Sequence, residues 1–170
     1  RRLTMFSNRT RKRIDPIAQF MQEHDEILVH LSSLNKSTTS IAQHGFSDDS
    51  FNRVIAALHF IEDEVGVHNL REEESLFPVL ERYVEGPTHL MREDHKYLKK
   101  EFDRLQRHVR KLDKKRTDRK LALELESTAK NMVQRFVNHI HKENHILFPL
   151  VQKFLTKDAL REVARRMHQS

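Results

Sequence analysis

The chain has 170 residues, 33% charged and 37% hydrophobic, with three Gly, four Pro and no Cys. That length suits one domain with a hydrophobic core, and the abundance of Leu, Glu, Lys and Arg over Gly and Pro describes long amphipathic helices, so the expected fold is all-α. The missing cysteines exclude disulfides, iron–sulfur clusters and thiolate zinc sites, and without an eighteen-residue apolar run or a secretory leader the chain reads as cytoplasmic, with no membrane contact.

Residues 1–14 form a basic tail. Arg1, Arg2, Arg9, Arg11, Lys12 and Arg13 precede the first acidic residue and account for the formal net charge of +6. No aromatic interleaving accompanies them, so a nucleic-acid partner is not expected. Residues 15–155 carry the punctuation of four helices. Asp15-Pro16 is a cap followed by proline at the first helical position, opening a helix to about Lys36. A polar connection over 37–50 follows. The second helix starts near Asp48 or Asp49 and reaches the Phe77-Pro78 region before the Gly86-Pro87 break. A third spans about Thr88 to Leu112. After a charged connection at Thr117-Asp118, the fourth runs to about Phe148-Pro149, and residues 156–170 hold a short C-terminal helix from Asp158. The expected architecture is an up-down-up-down four-helix bundle.

Each helix carries an apolar stripe at alternating steps of three and four residues, and each stripe contains polar residues. Ile17, Phe20, Met21, Ile27, Leu28, Leu31 and Leu34 surround His24. His95 lies among Met91, Leu98, Phe102, Leu105, Val109 and Leu112. The second helix aligns His68 and Glu72 with Leu58, Ile61, Val65 and Leu76, and the fourth aligns His139 and Glu143 with Leu125, Met132, Phe136 and Leu147. A single histidine on such a stripe is most often a hydrogen-bonded core residue. Two buried carboxylates among four histidines are different, because an unpaired buried carboxylate costs several kcal/mol unless a cation accompanies it.

These residues repeat. His24 and His95, His68 and His139, and Glu72 and Glu143 are each 71 residues apart, and Leu76-Phe77-Pro78 recurs as Leu147-Phe148-Pro149 at the same offset. Residues four apart on a helix point within about 40° of each other. His68 with Glu72 and His139 with Glu143 therefore reach one cavity. Two halves supply four imidazoles and two carboxylates, a set for two cations that suits iron and also manganese or zinc.

Through Glu23-His24-Asp25, His68-Asn-Leu-Arg-Glu72-Glu-Glu-Ser-Leu-Phe-Pro78, Asp94-His95 and His139-Ile-His-Lys-Glu143-Asn-His-Ile-Leu-Phe-Pro149, the sequence resembles the hemerythrin-like, or HHE cation-binding, family over about residues 16–155. The resemblance implies a non-haem centre of two iron ions, bridged by Glu72 and Glu143 and by an oxo or hydroxo group. Oxygen-carrying members have a His-x-x-x-His pair on the third helix and an Asp five residues after the fourth-helix His. Here Met91 and Lys99 flank His95 and Asn144 stands at the Asp position, so the chain resembles the four-His, two-Glu branch. The implied function is binding or reduction of a small diatomic or peroxidic ligand (oxygen, nitric oxide or peroxide). The alternative is a non-enzymatic oxygen, redox or iron sensor, or an iron store. No Glu lies three residues before any His, against a ferritin-like carboxylate bundle, and His-Glu-x-x-His is absent.

Two further residues are candidates. His44, in the expected connection, is placed to be a fifth ligand or a gate over the bundle end. Glu64, one turn before His68, is placed to relay protons or line an access path. His59, His141 and His145 point away from the stripes.

Overall fold

The computed structural model describes residues 15–169, so the basic tail lies outside the described residues. The first helix, α1 (Pro16–His44), opens as its sequence dictates: the Asp15 carboxylate accepts the N–H of Ile17 at 2.8 Å. It continues well past Lys36. Ser37 and Thr38 are buried beside Ile41 and Ala42, and the Thr38 hydroxyl donates to the Leu34 carbonyl at 2.9 Å, so it is satisfied within the helix. Gly45 ends it with φ +88, where a side chain would be strained, and donates its N–H to the Ile41 carbonyl.

The second helix, α2 (residues 48–80), is capped by the Ser47 hydroxyl, which accepts from the N–H of Ser50. It contains two wider π-helical turns, Ile61–Val65 and Glu72–Leu76, joined by Gly66–Arg71 and followed by Phe77–Leu80. After residues 81–87 comes α3 (Thr88–Lys114). Asp118 caps α4 (residues 119–154) by accepting from the N–H of Leu121, and α4 contains a third π turn, Glu143–Leu147. Thr156 caps α5 (Lys157–Met167).

Pro78 and Pro149, expected near helix ends, instead lie inside rods that continue to Leu80 and Phe154. The preceding π turns absorb them, since hydrogen bonds reach back five residues there and no regular α-helical ladder has to be broken at the proline. The Glu74 carbonyl, four residues before Pro78 and without its usual helical donor, accepts from Arg166 of α5 at 3.5 Å.

Short connections make successive helices antiparallel, giving the up-down-up-down bundle with α5 across one end. Helix α1 packs against α2 and α4, and α3 packs against α4. Apolar side chains fall into two clusters. The larger runs along the bundle from Ile27 and Leu98 to Leu112 and Leu125. The smaller, Ile17, Phe20, Leu76, Phe77, Leu147 and Phe148 among others, is closed by Ala159, Val163 and Met167 of α5. His24, His68, Glu72, His95, His139 and Glu143 form a buried polar layer at the level where the two clusters meet. Three expected stripe residues differ: Met21 is 41% exposed, and Leu28 and Phe102 are only partly buried.

Candidate metal centre

The layer is built by four helices that each contribute an imidazole. Nε2 of His24 and Nε2 of His68 are 3.1 Å apart, and the same atoms of His95 and His139 are also 3.1 Å apart. The carboxylates lie between these pairs. Glu72 places Oε1 2.7 Å from His68 Nε2 and Oε2 3.3 Å from His95 Nε2, whereas Glu143 places Oε1 2.8 Å from His139 Nε2 and 3.4 Å from His24 Nε2. Two overlapping groups result, His24, His68, Glu72 and Glu143, and Glu72, His95, His139 and Glu143. Within each, candidate ligand atoms lie within 4.8 Å of one another.

These donors fit a pair of cations. Among the described residues, all four oxygens of Glu72 and Glu143 are buried without a hydrogen-bond partner of acceptable geometry, despite the ring nitrogens beside them. Two Nε2 atoms facing each other at 3.1 Å can form at most one hydrogen bond with each other. Ordinary hydrogen bonding therefore leaves the layer undersatisfied, a costly condition that divalent cations relieve.

Protons take that role when no cation does. Burial disfavours the charged imidazolium, but Glu143 and Glu72 outweigh it at His24, which rises to about 9. At His68 burial is likewise overcome, by Glu72 and Glu23, and the value reaches about 10. His139 rises to about 9 against burial through Glu143 and Asp94, and His95 rises through Glu72. Burial would raise Glu72, yet His68, His24 and His95 hold it well below the usual carboxylate range. Binding a cation here must therefore release protons.

The outward nitrogen of every ring is also held. Nδ1 of His68 contacts Glu23 at 3.3 Å, that of His95 contacts Glu73 at 2.7 Å, that of His139 contacts Asp94 at 3.0 Å, and that of His24 contacts the Asn144 side-chain oxygen at 2.7 Å. Lys142 also donates to Asp94, which His139, despite some burial, helps hold down to about 2. Such partners fix ring orientation and leave Nε2 pointing inward. Phenyl rings steady the same side chains: Phe148 stacks on His24 and Phe77 on His95.

Sequence reasoning named the six inner residues but not these outer partners. Their signal was present in the repeat, because Glu23 matches Asp94, and Glu73 matches Asn144, at the 71-residue offset. Chain adjacency misleads about whom they serve. Glu23 precedes His24 but holds His68, and Asp94 precedes His95 but holds His139.

The two added candidates lie elsewhere. His44 is exposed at the far end of α1, about 30 Å along the helix from His24 at 1.5 Å per residue, so it is not brought to the layer as a ligand or gate. Glu64 is exposed within the π turn Ile61–Val65, whose buried positions are Ile61 and Val65. His59, His141 and His145 are exposed, the last two with ring centroids 4.2 Å apart.

A cavity of about 500 Å³ lies between α2 and α3. Val65, Leu70, Phe102 and Phe136 contribute to its walls, and Glu73 and His95 also line it. Among the described residues no helix is long and apolar enough to cross a membrane.

The family model of the hemerythrin HHE cation-binding domain matches residues 86–170, the half that contains His95, His139 and Glu143. No curated protein matches the chain. His24, His68 and Glu72 lie outside the matched residues, and they join the matched half through the internal repeat and the shared buried layer. The chain belongs to the hemerythrin HHE cation-binding family, as a metal-binding helical domain with paired His/Glu clusters at its core.

Proposed function

We propose that the two clusters hold a pair of iron ions and that the protein binds or reduces a small ligand, namely oxygen, nitric oxide or peroxide. The observation that carries this reading is the position of Glu72 and Glu143. Each buried carboxylate lies against imidazoles of both pairs, and neither has a hydrogen-bond partner of acceptable geometry among the described residues. Carboxylates so placed join two cations into one centre. When bound, ferrous iron supplies the electrons and the site for the ligand.

The protein's own groups perform the remaining tasks. Four imidazoles present Nε2 inward while Glu23, Glu73, Asp94 and Asn144 hold their outer nitrogens. Phe20, Phe77, Phe136 and Phe148 surround the rings and limit bulk water. The cavity between α2 and α3 gives a small ligand a path toward His95. Rapid mixing of the diferrous protein with oxygen, nitric oxide and hydrogen peroxide tests the reading. New charge-transfer absorption with at least one is expected, and spectra unchanged by all three would refute it.

A further inference from the structure

The two halves repeat in sequence but not in their surroundings. Across the 71-residue offset, Glu23 corresponds to Asp94, so His68 and His139 each face a carboxylate. Glu73 corresponds to Asn144, and there the match fails. His95 has a carboxylate at 2.7 Å while His24 has a neutral amide oxygen at 2.7 Å. Among the described residues the outer nitrogens of the His95–His139 pair thus have two carboxylate partners, at 2.7 and 3.0 Å, and those of the His24–His68 pair have one, at 3.3 Å.

The packing differs in the same direction. The repeat relates the α1–α4 contact to the α3–α2 contact. Helices α1 and α4 pack closely beside His24, which is fully buried, whereas a cavity lined by His95 and Glu73 lies between α2 and α3. The π turn Ile61–Val65, three of whose residues line that cavity, has no counterpart in α4, where the corresponding residues are α-helical.

We propose that the two metal positions are inequivalent: the His95–His139 position binds its cation first and admits the external ligand, and Asn144 leaves the His24–His68 position the weaker and closed one. A carboxylate accepting from an imidazole N–H raises the ligand strength of the opposite nitrogen, and loss of such a partner typically lowers metal affinity 10- to 100-fold. An amide oxygen accepts the same hydrogen bond without a negative charge, so the cation opposite His24 receives less stabilisation. The inference rests on the metal-centre reading and goes beyond it, because the six inner residues by themselves are symmetric.

Stepwise addition of cobalt(II) to the metal-free protein, followed by visible absorption, tests it without any assay of turnover. Two binding steps separated by about tenfold or more are expected. Asn144→Asp should tighten the weaker step by about tenfold, and Glu73→Gln should weaken the tighter one by a similar factor, so both variants narrow the gap. Both changes are nearly isosteric and leave the six inner residues in place. Azide added at one equivalent of cobalt should already shift the absorption bands. Two equal steps, a gap unchanged in both variants, or an azide response only after the second equivalent would overturn the inequivalence while leaving a metal centre intact. Failure to bind cobalt at all would overturn the metal-centre reading and this proposal with it.

Discussion

The backbone N–H of Phe77 donates to the carbonyl of Glu72, five residues earlier, and Phe148 does the same to Glu143. Both inner carboxylates thus stand at the first residue of a π turn. A π turn is equivalent to one residue inserted into an α-helix, and it lets His68 and Glu72 face the polar layer while Leu76, Phe77 and Leu80 still reach the smaller apolar cluster.

Deleting Glu74, an exposed residue inside that turn, restores an α-helical count. The segments on either side keep their faces, but the local widening that begins at Glu72 is lost and its carboxylate shifts from its place in the layer. The expected result is a helical far-ultraviolet spectrum with fewer than two metals per chain and a lower Tm. Elemental analysis and thermal melting check it, and a variant that retains two metals would show that the turn does not position Glu72.

Removing inner residues should have unequal effects on stoichiometry. His24 belongs to one cluster, whereas Glu72 and Glu143 belong to both. His24→Ala is expected to retain about one metal per chain, and Glu143→Ala to lose both or nearly both. Measured metal-to-protein ratios that fall equally in the two variants would contradict the shared role of the carboxylate.

The metal-free protein should be less stable at high pH. His24, His68 and His139 are raised to about 9, 10 and 9, above the unfolded value near 6.5, so the folded state holds their protons more tightly. That contribution is complete below about pH 6.5 and is lost as pH rises through about 9 to 10. Thermal melting between pH 7 and 10.5 should show Tm falling. Metal-loaded protein should lack this fall, since the cations replace those protons.

Leu70, 46% exposed and lining the cavity between α2 and α3, offers a way to narrow the path. Leu70→Trp is expected to slow azide or nitric oxide association several-fold while leaving metal content unchanged. Stability should shift by no more than about 0.5 kcal/mol, as for most surface substitutions. An unaltered association rate measured by stopped flow would place the access route elsewhere.

Much of this architecture is legible in the chain because two independent periodicities agree. The three-four stripes place four helices, and the 71-residue repeat places His24, His68 and Glu72 on the same footing as His95, His139 and Glu143. The end of α1 was hidden because Ser37 and Thr38 read as loop residues, although their inward placement with Ile41 and Ala42 keeps them helical. Glu64 was read onto the His68 face from a four-residue step, but within the π turn Ile61–Val65 the buried positions go to Ile61 and Val65 and Glu64 is exposed. The outer partners escaped because the acidic residue beside each lone histidine serves the histidine of the following helix, a pairing that depends on how helices meet.

Because Glu72 of the first hairpin touches His95 of the second, and Glu143 of the second touches His24 of the first, the buried layer ties together segments far apart in the chain. A cation held there acts as a latch between hairpins that the short connections alone would leave able to breathe separately. Opening either one means surrendering carboxylate contacts of both clusters. Amide exchange in α1, α2, α3 and α4 should therefore merge into a single protected unit when metal is bound, and divide into two when it is removed.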